Sequence, residues 1–262
     1  MSSEKKTALV TGATSGIGAA FAKRLAREGY DLIITGRREE RIRALAERIS
    51  SSCAVRVEVV IAELSHLPEV EKLAERIRST GNLEVLVNNA GFGSRLEFHR
   101  EPPGAQADMV RVHVLAPLLL THAAIPGMIT RGSGVIINVS SVSGYLVFPR
   151  STVYGATKSF LTFFSEGLAM ELREKGVKVQ ALCPGFTISD FHDRLGWDEK
   201  KKSSRRAVRW KTAEEVVDYS LVCLEKNRIV CIPGFWNKLA VRVARYLPRS
   251  LYYDLAVRAR KE

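Results

Sequence analysis

The sequence predicts an α/β fold: a doubly wound, seven-stranded parallel sheet covered by helices on both faces, in three α/β/α layers. Three observations predict it. Seven short apolar runs rich in β-branched residues alternate with segments of helical period, from the first residues to about 233. A helix follows each strand, which parallel strands require because their crossovers must run back along the sheet. A chain of 262 residues also suits one α/β domain spanning 1–262, large enough to bury a core without a disulfide or metal staple.

The elements follow in order. "TALVT" at 7–11 reads as the first strand and "IGAAFAKRLAREG" as an amphipathic helix ending at Gly29. "DLIITG" is the second strand, "REERIRALAERIS" a polar-faced helix and "RVEVVIA" the third strand. "LPEVEKLAERIRSTG" and "LEVLVNNAG" repeat the unit, followed by a long helix over 105–130 and the strand "GVIINVSS". A helix from about 152 to 175, "VKVQALCPG", a helix over 213–226 and "RIVCIPG" complete the sheet. The polar, basic stretch at about 188–212 breaks the rhythm and reads as a substrate lid. The tail, at about 235–262, reads as two basic amphipathic helices broken at Pro248.

Composition narrows the function. Cys53, Cys183, Cys223 and Cys231 form no C-x-x-C pair and read as small core hydrophobes in a reducing compartment. The start passes from charges straight into a strand, with no long apolar region of a signal peptide. The most apolar run, "VHVLAPLLLTHAAIPGMI", carries two histidines and two prolines and is not expected to span a bilayer. A cytoplasmic protein is the expectation. The net charge is +12, and residues 192–211 and 234–262 supply +10 of it. No helix-turn-helix, zinc-finger or RRM signature accompanies that charge, so no nucleic-acid partner is expected.

Ligands of such sheets settle beyond the carboxyl ends of the strands, so the loops there carry the candidate site. "VTGATSGIGAAF" follows the first strand and opens the first helix, placing Gly12, Thr14, Ser15, Gly16, Ile17 and Gly18 at the turn. Glycine lets the backbone approach a ligand, and the helix N-terminus offers free N–H groups to a pyrophosphate. In its strand–turn–helix context this is the dinucleotide signature of a Rossmann fold. The second strand ends in "TGRREE", with Arg37 and Arg38 where an NAD site usually places an acidic residue. Two guanidinium groups suit a 2′-phosphate, so NADP(H) is expected over NAD(H).

Tyr154 and Lys158 stand four residues apart and share a helix face. A nearby ammonium is expected to pull the phenol pKa down toward working pH, where a general acid or base performs best. Together with the glycine turn at 12–18, "NNAG" at 88–91, Ser141 thirteen residues before the tyrosine and "PG" at 184–185, this set resembles the short-chain dehydrogenase/reductase family over roughly residues 6–233. The resemblance implies an oxidoreductase that interconverts a ketone and a secondary alcohol by hydride transfer. Tyr154 would exchange the proton, Ser141 would hydrogen-bond the substrate oxygen, and Lys158 would also hold the nicotinamide ribose.

The resemblance further implies cofactor contacts for Asn89, Ala90 and Gly91, for Glu63 and Leu64 near the adenine, and for Pro184, Gly185, Thr187 and Ser189 over the nicotinamide amide and phosphates. Glu63 departs from the family's Asp by one methylene, and Ser189 stands where Thr is commoner. His113 stands where the family has an asparagine that helps hold a water linking the lysine to solvent. Two readings of His113 stay open here, a proton relay and a core histidine with no catalytic part.

"YLVFPR" after Ser141, Phe186, Phe191 and Trp197 suggest an apolar substrate: a fatty-acyl or 3-oxoacyl chain, a steroid-like ketone or another lipidic ketone. The basic residues Lys201, Lys202 and Arg205 admit an anionic carrier such as an acyl-CoA. A catalytically idle NADPH-binding sensor or scaffold is the alternative of another class. Trp236, Leu239, Val243, Tyr246 and Leu247 form an apolar stripe expected to dock on the protein's own core or a dimer partner, with an anionic membrane as the alternative. The helices at 105–130 and 152–175 resemble the family's pairing helices and imply a homodimer or homotetramer.

Overall fold

The structure is a computed structural model that describes residues 5–94, 96–191 and 210–258. The strands are β1 (Thr7–Thr11), β2 (Asp31–Gly36), β3 (Val57–Ile61), β4 (Leu83–Asn88), β5 (Gly134–Val139), β6 (Val177–Leu182) and β7 (Val230–Cys231). They form one parallel sheet in the order β3-β2-β1-β4-β5-β6-β7. The chain moves outward from β1 to β3, then returns to β4 on the other side of β1. That reversal opens a crevice at the carboxyl ends of β1 and β4, and the site lies there.

Alternate residues of each central strand feed two cores. Ala8, Val10, Leu32, Ile34, Val85 and Val87 face α1 (Gly16–Arg27), α2 (Glu39–Ser52) and the helix Ala213–Glu225. Leu9, Ile33 and Leu86 face the other layer, with α3 (Leu67–Arg78) and the long helix that follows β4. Phe21, Leu9 and Ile34 are fully buried, and truncating any of them to alanine should cost about 2–5 kcal/mol.

The long helix comprises α4 (Pro103–Val110), a wide π-type turn over Arg111–Leu115 and α5 (Ala116–Arg131). It is the one helix among the described residues long and apolar enough by composition to cross a bilayer, yet half of its most apolar window is buried. Val112, Ala116, Leu120 and Met128 account for that composition by packing into the second core. The wide turn centres on His113, and such turns often mark functional sites.

Helix α6 (Thr152–Glu171) carries the Tyr154/Lys158 pair. The stretch after β6 closes on itself: Ile188 N–H donates to the Lys211 carbonyl at 2.9 Å and Lys211 N–H to that of Phe186 at 3.1 Å. Both ends of the expected lid are therefore tied together, while its residues 192–209, with Trp197, Lys201, Lys202 and Arg205, lie outside the described residues. Thr212 and Glu215 then cap α7 (Ala213–Glu225) reciprocally, each side chain accepting the other's backbone N–H. The tail forms α8 (Phe235–Tyr246) and α9 (Arg249–Arg258), parted at Pro248 as the sequence indicates.

Candidate active site

The turn after β1 is shaped by what its glycines omit. Gly12 takes φ +66°, and a Cβ on Gly18 would lie 2.4 Å from both the Gly12 carbonyl oxygen and the Asn89 amide nitrogen. The N-terminus of α1 has no side-chain cap and no acidic residue in its first turn, so its N–H groups remain open to an anion. Asn89 and Ala90 N–H groups both donate to the Thr11 hydroxyl, at 2.9 and 3.0 Å, and the Asn89 amide donates to the Thr11 and Gly12 carbonyls at 2.9 and 3.1 Å. This lattice fixes the cradle beside β4. A cavity of about 280 Å³ lies at the turn, lined by Thr14, Ser15, Gly16 and Ser189 among others.

Both arginines after β2 reach this region, with different partners. Arg38 donates to the Thr14 and Ser15 hydroxyls at 2.8 and 2.9 Å and to the Asp190 carboxylate at 3.0 Å; Arg41 donates to the same carboxylate at 2.6 Å. Partial burial alone would raise the Asp190 pKa, but the two guanidinium groups outweigh it and hold the carboxyl below its ordinary range. Arg37 instead donates to Glu63 at 3.0 Å, and Leu64 is buried beside it. A carboxylate held by two guanidiniums beside an open helix N-terminus shows that the residues present fit the phosphates of a dinucleotide.

Ser141, Tyr154 and Lys158 converge at the end of β5. The Ser141 oxygen accepts the Ser143 N–H at 3.1 Å, and its hydroxyl faces the Tyr154 phenol. Lys158 is buried, donates to the Val139 carbonyl at 2.8 Å and stands 5.7 Å from the Tyr154 ring centroid. The expected depression of the phenol pKa is not found. Burial pushes Tyr154 up to about 12 against the opposing Ser141 hydrogen bond, and burial lowers Lys158 to about 8. At this distance the ammonium does not offset the loss of water. A neutral phenol is the form that can donate a proton.

Comparisons with known proteins show the family. The short chain dehydrogenase family matches residues 6–200. The chain belongs to the short-chain dehydrogenases. It is 36% identical over 264 residues to a very-long-chain 3-oxoacyl-CoA reductase of Anas platyrhynchos, covering 97% of this chain and 80% of that protein. An uncharacterized oxidoreductase of Staphylococcus saprophyticus is 35% identical over 200 residues, 76% of this chain and 86% of that one. Among solved structures, a short-chain dehydrogenase from Sphingobium yanoikuyae in complex with NADPH superimposes with a TM-score of 0.82 at 32% identity, over 90% of this chain and 92% of that chain. As a short-chain dehydrogenase, the protein is an oxidoreductase acting on CH–OH groups.

Within this short-chain dehydrogenase, His113 occupies a fully buried position and both of its nitrogens are engaged. Nε2 accepts the Phe92 N–H at 3.0 Å, so Nδ1 carries the ring proton and faces the Thr157 hydroxyl at 3.0 Å, which donates to the Tyr154 carbonyl at 2.8 Å. Burial first, and the Lys158 charge second, lower its pKa well below 6.5. A ring held neutral with no open nitrogen is not placed as a proton relay. It ties the loop after β4 to the helix turn that carries Tyr154. Gly91 allows the approach: a Cβ there would sit 2.9 Å from Nε2 and 3.6 Å from the Lys158 nitrogen.

The remaining expected positions gather around the same crevice. Pro184 accepts the Val142 N–H at 3.0 Å, Gly185 packs against Asn237, Thr187 donates to the Gly185 carbonyl, and Ser189 lies against Gly16. Phe191 places its ring 5.9 Å from that of Tyr154. Sequence reasoning missed Thr11, Thr157, Arg41, Asp190 and Asn237. Thr11 precedes the glycine turn and Thr157 precedes Lys158, but nothing local marks either hydroxyl as structural. Asp190 and Arg41 meet only across 149 residues.

Proposed function

We propose that the protein is an NADP(H)-dependent reductase that interconverts a ketone and a secondary alcohol, on a lipidic or 3-oxoacyl substrate. The single observation that carries this is the Ser141–Tyr154 hydroxyl pair beyond the end of β5, one helical turn from the buried Lys158. When bound, a reduced nicotinamide dinucleotide supplies the hydride. Ser141, with its oxygen held by Ser143 N–H, presents its proton to the substrate oxygen. Tyr154 gives its proton to that oxygen as the carbonyl becomes an alcohol. The phenolate left behind is no longer offset by a proton, and the Lys158 ammonium stabilises it. In the alcohol-to-ketone direction the same phenolate takes the proton back.

Lys158 would hold the nicotinamide ribose, the turn at 12–18 the pyrophosphate, and Arg38 with Arg41 the 2′-phosphate. Arg37, bound to Glu63, is placed nearer the adenine side. The preference for NADP(H) rests on the guanidinium pair already holding an anion. The apolar substrate rests on Leu96 and Phe98, both exposed in the pocket that Tyr154 lines. An acyl-CoA is favoured among carriers by the similarity to a very-long-chain 3-oxoacyl-CoA reductase. Helix α6 exposes Phe163 and Met170, 80% and 69% accessible, which suits pairing with a second copy.

The test is oxidation of NADPH, and separately of NADH, by the purified chain against 3-oxoacyl-CoAs of increasing length, steroid ketones and small diketones. Faster turnover of long 3-oxoacyl-CoAs with NADPH supports the proposal. Equal or better use of NADH removes the cofactor part, and activity confined to small diketones removes the substrate part.

A further inference from the structure

The apolar stripe of the tail does not dock on the protein's own core. Helix α8 is attached through Val241, 8% exposed, and through Asn237, whose amide packs on Gly185 and donates to the Pro233 carbonyl at 2.6 Å. The stripe points the other way: Phe235, Trp236, Leu239, Val243 and Tyr246 are 71, 65, 39, 51 and 77% exposed. At 100° per residue these five positions fall within one arc of about 100°, the width of an apolar helix face. Arg242 and Arg245 border one side of that arc, Lys238 on the same side donates to the Tyr219 hydroxyl at 2.6 Å, and α8 contains no acidic residue.

The next helix is anchored as well, but without a single outward apolar face: Leu251 and Leu255 lie to one side of its buried residues and Tyr253 and Val257 to the other. In α9, Tyr252 is buried and donates its hydroxyl to the Val147 carbonyl at 2.9 Å, while Leu251, Tyr253, Leu255 and Val257 are each about half exposed. Residues 234–262 carry seven Lys/Arg against two Asp/Glu. A second copy is a poor occupant for such a face, since a two-fold contact would set the cations of α8 against their own equivalents with no carboxylate on that helix to pair them. Aromatic and aliphatic side chains bordered by cations instead match the acyl–headgroup boundary of an anionic bilayer.

We propose that the outward face of α8 is an interfacial anchor that docks the protein on anionic phospholipid surfaces. Both helices hold the body of the protein on their inner sides, α8 through Gly185 and α9 through the Val147 carbonyl. The proposal does not depend on which ketone is reduced.

The experiment is flotation of the full chain with vesicles of phosphatidylcholine alone or mixed with phosphatidylglycerol, with the oligomeric state read by light scattering. Wild type should float with the anionic vesicles, less with the zwitterionic ones, and less as salt is raised. Arg242→Glu with Arg245→Glu should cut the anionic partition coefficient by more than an order of magnitude, at a factor of about five per cation removed. Trp236→Ser with Tyr246→Ser, both exposed, should lower binding to anionic and zwitterionic vesicles alike while leaving the melting temperature in place. The proposal is overturned if wild type does not float with anionic vesicles, or if both double variants float as wild type does. It is equally overturned if the variants merely split a dimer that never bound vesicles, because a second copy then covers the face.

Discussion

Lys158 should make the ligand-free protein less stable at neutral pH than in mild alkali, and Lys158→Met should abolish that difference. A lysine that ordinarily titrates at 10.5 is held at about 8 by burial, a gap of about 2.5 in pKa and roughly 3 kcal/mol. Between those two values the unfolded chain binds the proton and the folded chain does not, so stability rises with pH through the window. From pH 7 to 10 the expected gain is about 2–3 kcal/mol. Methionine is close in volume but leaves the Val139 carbonyl without its 2.8 Å donor, a loss of about 1–3 kcal/mol that does not depend on pH. The comparison is therefore one of slopes. Urea unfolding without cofactor at pH 7 and pH 10 should show wild type gaining that 2–3 kcal/mol relative to the variant, or about 5–10 °C in melting temperature for a chain of this size. Titrations elsewhere cancel in the difference, including that of Tyr154, which lowers the stability of both proteins above pH 10. An equal gap between wild type and variant at the two pH values would refute the desolvation argument.

Asp190→Asn should tighten NADPH binding by about two- to fivefold, since each partly exposed ion pair it forms with Arg38 and Arg41 is worth up to about 1 kcal/mol. NADH affinity should not move, and titration of the bound-coenzyme fluorescence would contradict the reasoning if both affinities shifted alike. His113→Asn should lower kcat while leaving the acid limb of its pH profile between 6 and 8 in place, because a ring whose pKa is well below 6.5 does not titrate there; a displaced limb would restore the relay. The same burial makes stability fall as pH drops below about 6.5, where the unfolded chain protonates the imidazole first, and His113→Asn should flatten that fall in acid unfolding curves. Gly91→Ala should drive a Cβ into the His113 ring at 2.9 Å and reduce kcat at least tenfold; full activity would show that the His113–Phe92 bond is dispensable.

The sheet was legible because its signal is local. Runs such as "LEVLVN" and "GVIINV" carry the apolar, β-branched pattern of strands buried on both faces, and each is punctuated by a helix. The glycine turn and the Tyr154/Lys158 spacing were legible for the same reason, since each is a short-range pattern with a steric meaning. The electrostatics were not. The sign of the Tyr154 shift depends on burial by residues far along the chain, which outweighs an ammonium one turn away. His113 shows the same limit: the sequence places it, but only the fold brings Phe92 and Thr157 to its two nitrogens. The tail stripe was visible as a pattern, and its direction was not. Amphipathicity reports that a face exists, whereas the anchoring of α8 by Asn237 and Val241 decides where it points.

The central claim is that Tyr154 donates the proton while the dinucleotide is held by other groups. Its most direct measurement is single-turnover reduction of a ketone substrate by NADPH in Tyr154→Phe, with coenzyme affinity measured on the same preparation. The account predicts an unchanged NADPH dissociation constant and a rate reduced by about 10²-fold or more, the usual contribution of a positioned general acid. A variant that binds NADPH normally and reduces the ketone at the wild-type rate would contradict it.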